Sequence, residues 1–383
     1  MPKSKKMNFK KYALHLGLFL LTIITTTLAG AEWMTANFFL FVEKPLGFND
    51  FLKGFNYSFP FLLALTFHEF GHYFAAKYYN LKVSLPYYIP IWLSGLSSFG
   101  TMGAFIKLMD RPITRKQYFD IGIAGPLAGF IIALGVLWYG FTHLPPFEYI
   151  YTIHPEYQKL GTDFAKTAYQ KLENNIYIGD NIIFWFFKNY VADPSLVPNS
   201  FEIMHYPYLM AGYLSLFFTA LNLIPIGQLD GGHIVYGLIG KRLHHIISPI
   251  LLVIFAFYAG LGIFKIDQFQ FLHFSEYLEK LGPFLLYIFF LKICFSKILP
   301  DSQIDWILAL GVAILQLICT QLFPNWMGYS GFLPFIFLLG RFLGVFHPDV
   351  EIDEPLDLKR KILGWLTLVI FILCFSPAPF IVY

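Results

Sequence analysis

Run after run of about 20 apolar residues follows along this chain, each long enough to cross the hydrocarbon core of a bilayer. A spanning segment must satisfy its backbone N–H and C=O groups internally, so such runs fold as helices. They fall at about 11–33, 57–79, 117–141, 206–226 (continuing to about 240), 248–265, 282–299, 303–323, 331–346 and 362–380. Composition agrees: of 383 residues, 57% are hydrophobic and 13% charged, where average soluble domains carry about 25% charged residues. The expected fold is an all-α polytopic membrane protein with about eight to nine transmembrane helices. A net charge of +3, small and scattered, argues against a nucleic-acid partner and leaves the lipid bilayer as the first one.

Orientation follows from the basic residues. The start, "MPKSKKMNFKK", reads as a cytoplasmic anchor. Alternating the runs from there puts Lys107/Arg111/Arg115/Lys116, Lys241/Arg242, Lys292/Lys297 and Lys359/Arg360/Lys361 on the cytoplasmic side, as the positive-inside rule asks. The first run is long, and "TTTLAGAEWM" offers a weak cleavage site, so it is taken as a span rather than a signal peptide. Low charge and bare cytoplasmic loops point to a bacterial inner membrane, with an organellar membrane as the alternative.

Two segments do not fit simple spans. Residues 82–108 are apolar but broken by Pro86, Pro90, Gly95, Gly100 and Gly103. A small membrane-associated β-hairpin or re-entrant element is expected there, because irregular backbone at that depth needs cover from protein or a water-filled cavity. Residues 142–205 form the longest polar stretch, external on this topology. The expected division is 1–56 (anchor and first span), 57–245 (core, with the loop at about 142–205) and 246–383 (additional spans). Cys294, Cys319 and Cys374 lie in apolar runs without CxxC spacing and are expected to be small packed side chains.

The chemistry begins at "LTFHEFGHYFAAKYY", Leu65 to Tyr79. Ionisable groups at that depth are costly unless paired or used. His68 and His72, four residues apart, share one helix face and can reach one metal ion. Glu69 is turned away from ligation and placed to accept a proton from water, whose pKa zinc lowers to about 7. A catalytic zinc needs a third protein ligand, and the candidate is Asp230, in "FFTALNLIPIGQLDGGH". Two other readings suit Asp230: a cap for the half-helix that starts at Gly231, or a partner for Lys241 or Arg242.

Together, HEFGH at 68–72 and N-x-x-P-x-G-x-L-D-G-G from Asn222 to Gly232 resemble the site-2 protease family of intramembrane zinc metalloproteases, over residues 57 to about 240. The resemblance implies one zinc per chain held by His68, His72 and Asp230. It makes Glu69 the general base for attack on a peptide bond in a substrate's transmembrane segment. It also implies that Asn222 contacts the substrate backbone or steadies the oxyanion, an interhelical hydrogen bond being the other reading. The hairpin would accept the unwound substrate backbone by β-addition, with Gly100 and Gly103 as weak substrate-binding candidates. His233 is a candidate to orient Asp230, or to replace it as ligand. His244 and His245 read as a solvated face, and His205 as interfacial.

"IGIAGPLAGF" spaces Gly125 and Gly129 four apart and is expected to pack against the His68 helix. Relatives in this family often carry a PDZ or CBS domain, and neither is evident here; a loop of about 60 residues is short for a PDZ domain. The partner expected is a membrane protein with a transmembrane helix. Competing classes are a metal-binding transporter, which predicts an inverted repeat that is not found, and an inactive scaffold, which the full set of chemical residues opposes. A CAAX-type membrane peptidase would use glutamate as its third ligand, against the L-D-G-G context.

Overall fold

Helices dominate because the apolar runs leave the backbone no other partner than itself. The computed structural model describes residues 9–37, 46–94, 98–160, 176–269, 274–298 and 301–382. Gly95 and the first eight residues of the basic anchor lie outside them, as does part of the external loop. In chain order come α1 (Phe9–Thr35), α2 (Phe48–Tyr78), β1 (Tyr87–Pro90), β2 (Thr101–Phe105), α3 (Arg115–Thr142), α4 (Tyr149–Ile153) and β3 (Ile176–Ile178). These are followed by α5 (Ile182–Tyr190), α6 (Pro207–Leu223), α7 (Asp230–Gly260), α8 (Phe274–Phe295), α9 (Ser302–Leu322), α10 (Leu333–Phe337), α11 (Leu358–Cys374) and β4 (Phe380–Val382).

Four described helices are long and apolar enough to cross a membrane: α1 from Tyr12, α3, α7 and α9. Pro207–Leu223, Leu281–Phe295 and Ser330–Leu343 are apolar but shorter. Helix α2 has the length, at 31 residues, yet His68, Glu69 and His72 dilute its hydropathy. The exposed faces are those of a lipid-facing protein: Leu16, Leu20 and Ile24 on α1 and Ile307, Ile314 and Ile318 on α9 are all open. Membrane-length helices with apolar outer faces make this an integral membrane protein.

The chain divides into two compact units. The first comprises Met1–Pro112, Ile123–Leu221 and Val369–Tyr383. Its helices α1 and α2 cross where Gly30 meets Gly54, and a Cβ on Gly54 would overlap the Thr27 carbonyl. Thr26 and Ser58 share a hydrogen bond of 2.6 Å beside that crossing. Thr22, Thr26 and Thr27 donate to carbonyls four residues back, which keeps their hydroxyls satisfied in apolar surroundings. Tyr57, Phe61, Leu137, Phe141, Phe184 and Tyr213 fill the core. Two small antiparallel sheets, β1–β2 and β3–β4, complete this unit.

The second unit comprises Ile113–Gly122 and Asn222–Leu368. Pro225 and Gly227 (φ +60°) end the preceding helix and set the turn into α7. At Gly240 (φ +80°) α7 kinks, so two helical segments follow one another. Gln316 of α9 ties three helices: its amide nitrogen donates to Ala256 and Phe257 of α7, and Tyr287 of α8 donates to its oxygen at 3.0 Å. Arg360 grips both oxygens of Asp120 at 2.7 Å.

Candidate functional site

Helix α2 carries the first half of the site. Asp50 accepts from the Gly47 N–H and stands in the first turn, while Lys77 stands in the last, so both helix ends carry the charge their dipole favours. His68, Glu69 and His72 are buried, 5%, 3% and 7% exposed. One turn apart, the two imidazoles meet edge to face with their Nε2 atoms 3.1 Å from each other. Two ligands of a tetrahedral zinc at 2.0–2.1 Å stand about 3.3 Å apart. The pair is thus already at the spacing of two ligands on one ion.

Helix α3 makes that burial possible. A Cβ on Gly125 would overlap the His72 ring, and one on Gly129 would come within 3.0 Å of the His68 Cβ. From the other side, a Cβ on Gly71 would overlap the Ala124 carbonyl. The small residues of "IGIAGPLAGF" therefore seat the two histidines, as the spacing of Gly125 and Gly129 predicts.

The predicted hairpin is present. β1 and β2 pair antiparallel with Tyr87 opposite Phe105, Tyr88 opposite Ala104 and Pro90 opposite Thr101, and the register shifts between Tyr88 and Pro90. The Tyr88 hydroxyl meets Thr66 Oγ1 of α2 at 2.8 Å, within one turn of His68 and Glu69. Glu32 of α1 accepts from Trp92 Nε1 and Ser94 Oγ just beyond β1. Gly100 (φ +83°) lies against the backbone of Thr25 and Thr26, which no side chain would permit. Gly103 (φ +105°) has open van der Waals contact with Phe218, so its conformation rather than its space requires glycine. Sequence reasoning missed the anchors Thr66, Tyr88 and Glu32, because contacts between distant segments leave no local pattern.

The second unit carries Asn222, Asp230 and His233. Asn222 stands one residue before the end of α6, half-buried. Asp230 opens α7, where the helix dipole favours a carboxylate. The Gly-Gly that follows has a backbone reason: a Cβ on Gly231 would overlap the Leu223 carbonyl, and one on Gly232 that of Gly227. The motif thus folds the turn and α7's first residues onto the end of α6. His233, one turn along, meets His347 Nε2 through its Nδ1 at 2.8 Å. Since His347 Nδ1 donates to the Pro348 carbonyl, its Nε2 accepts, and His233 Nδ1 is the donor.

One histidine expectation is corrected. His244 is fully buried rather than solvated, since the Gly240 kink resets the helical phase and turns it inward against Tyr236 and His347. His205 is 4% exposed, in the turn just before α6.

Comparison with known proteins places these features. Residues 57–261, more than half the chain, match the family model described as Peptidase family M50. The chain is 28% identical over 181 residues to "Probable zinc metalloprotease EGY1, chloroplastic" of Oryza sativa subsp. japonica, covering 46% of this chain and 26% of that protein. It is 29% identical over 178 residues to the protein of the same name in Arabidopsis thaliana, covering 46% and 28%. With "Probable zinc metalloprotease EGY2, chloroplastic" of Oryza sativa subsp. indica the identity is 27% over 184 residues, covering 48% and 29%. The chain thus spans less than a third of the length of these curated relatives. No solved structure matches. With the HEFGH pair on one helix, the Asp-Gly-Gly turn at the head of another and the family match running through both, the chain belongs to peptidase family M50, the site-2 protease family.

Proposed function

We propose that this protein is an intramembrane zinc endopeptidase that hydrolyses a peptide bond within or near a transmembrane segment of a membrane protein. The observation that carries the reading is the His68–His72 pair, buried on α2 with Nε2 atoms 3.1 Å apart and Glu69 beside it. Membership of family M50 and the names of the relatives support it. His68, His72 and Asp230 would hold one zinc, a two-imidazole, one-carboxylate set that suits the ion and leaves a position open. When bound, zinc supplies a Lewis acid that makes water nucleophilic near neutral pH.

The chain's own residues supply the rest. Glu69 takes a proton from the attacking water and returns it to the leaving amine. Asn222 donates to the substrate carbonyl as it gains negative charge, an interaction of about 2.7–4 kcal/mol for such donors. The free edge of the β1–β2 hairpin accepts the substrate backbone once its helix has unwound, and backbone pairing replaces the helix's own hydrogen bonds. Gly100 and Gly103 keep that edge in shape. His233 keeps the α7 turn around Asp230 in place. The proposal extends to eight to nine spans, a cytoplasmic N-terminus and a bacterial inner membrane.

Zinc content per chain in detergent-purified protein tests this. Wild type and Glu69→Ala should each hold the site's ion, and Asp230→Ala should lose about one equivalent. Glu69→Gln should cut the cleavage of a single-span substrate by about 10²–10⁴-fold. Full zinc retention in Asp230→Ala would remove the third ligand, and undiminished cleavage in Glu69→Gln would remove the base.

A further inference from the structure

A second group of metal-binding side chains lies in the first unit, away from the HEFGH helix. His154 follows α4, and Glu202 and His205 come just before α6; the three offer ligand atoms within 4.8 Å of one another. His154 Nε2 and His205 Nε2 are 3.2 Å apart. Glu202 Oε2 is 3.5 Å from His205 Nε2 and 3.8 Å from His154 Nε2. A tetrahedral ion with ligands at 2.0–2.1 Å would set these separations at about 3.3 Å. Small side-chain rotations suffice to close the triangle on one ion.

The outer hydrogen bonds say which atoms face inward as lone pairs. His205 Nδ1 is 2.5 Å from the Trp33 carbonyl, which can only accept, so this nitrogen carries the proton. His154 Nδ1 is 3.1 Å from Glu156 Oε1, so it too is the donor. With Nδ1 engaged outward, each ring turns its Nε2 toward the other ring and toward a Glu202 oxygen. Two imidazole nitrogens and a carboxylate oxygen converging in this way suit a metal ion among them. The imidazole Nδ1–H held by a carbonyl or a carboxylate is the arrangement that orients metal-binding histidines.

Further contacts hold the group in place. The His205 backbone N–H donates to the Glu202 carbonyl, and its own carbonyl accepts from the Tyr149 hydroxyl at 2.9 Å. Tyr157 stacks on His154 and hydrogen-bonds Glu202. Glu202 is 4% exposed. A buried carboxylate is stabilised most by a cation at contact. His154, at 22% side-chain exposure, leaves ions a way in.

We propose that His154, Glu202 and His205 form a second metal site, for a divalent ion of the zinc type, that pins the segment before α6 to α4 and the end of α1. Two imidazoles and one carboxylate favour zinc, cobalt or nickel over magnesium and calcium, which prefer all-oxygen shells. The proposal stands apart from the reading of His68 and His72, and its test is separate.

The full chain in detergent is stripped with chelator and reloaded with Zn²⁺ or Co²⁺, with Mg²⁺ and Ca²⁺ as controls. His154→Ala should hold about one equivalent less zinc than wild type, whatever the other site holds. Glu202→Gln, which keeps the shape but not the charge, should weaken the same equivalent by about tenfold or more. The Co²⁺-loaded wild type should lose part of its tetrahedral visible absorption on either substitution. Equal metal content and superimposable cobalt spectra in all three chains would mean that the two rings share a proton only, and the site would fall.

Discussion

Gly125 and Gly135 sit on the same helix, α3, and differ in what a single methyl group would meet. At Gly125 it would run into the His72 ring; at Gly135 it would meet nothing within 4 Å. Gly135→Ala should therefore leave zinc affinity unchanged and raise stability by about 0.5–1 kcal/mol, the usual gain from removing a helix-interior glycine. Gly125→Ala should displace His72 and weaken zinc by about 10–100-fold, the scale seen when a ligand loses its support. A competition titration with a chromophoric chelator, alongside thermal melts, reads both. Wild-type affinity in Gly125→Ala would show that the ring is not seated by α3.

At the scale of elements, the Tyr57 hydroxyl of α2 holds the Phe99 carbonyl in the segment connecting β1 and β2, while strand β1 of the hairpin is tied to α2 by the side-chain bond between Tyr88 and Thr66. Removing either partner should cost about 1 kcal/mol of hairpin docking. If the hairpin presents the substrate backbone, Tyr88→Phe and Thr66→Val should each raise KM for a transmembrane substrate and leave kcat near its wild-type value. Because the two side chains share one bond, the double substitution should add little to either single one. Unchanged KM in both would place substrate docking elsewhere. What was legible beforehand divides along the same line. His68, Glu69 and His72 form one local pattern, and Pro225, Gly227 and the Asp-Gly-Gly turn another, so each could be read from spacing alone. The Gly125–Gly129 stripe also declared its packing role, because small residues four apart have few other uses in an apolar helix. Thr66 with Tyr88, and His154 with Glu202 and His205, could not be read this way. Their partners are separated by loops whose course depends on tertiary packing. His244 was misread for a related reason: one positive-φ glycine, Gly240, shifts which helix face turns inward, and no periodicity announces that shift.

For the whole molecule the open quantity is orientation across the bilayer. The proposed orientation has Lys107 on the cytoplasmic side and the segment between α3 and α6 on the outer side. Both can be probed within the first unit, since Lys107 and Asp193 are exposed. The native thiols interfere little: Cys294 and Cys374 are buried, and Cys319, which is half-buried, can be replaced by serine. In right-side-out cells, Asp193→Cys should react with a membrane-impermeant maleimide and Lys107→Cys only after permeabilisation. The reverse pattern would invert the topology and move the His154–Glu202–His205 group to the cytoplasmic face. The distinction has a chemical consequence. An outward site would draw its ion from the external medium, and chelator added to intact cells would strip it while leaving the ion at His68 and His72 in place. Thermal stability should follow: an ion present at about 100 times its Kd contributes about 2.7 kcal/mol. Chelation of intact cells, before extraction, should then lower Tm in wild type and leave Tm of His154→Ala unchanged.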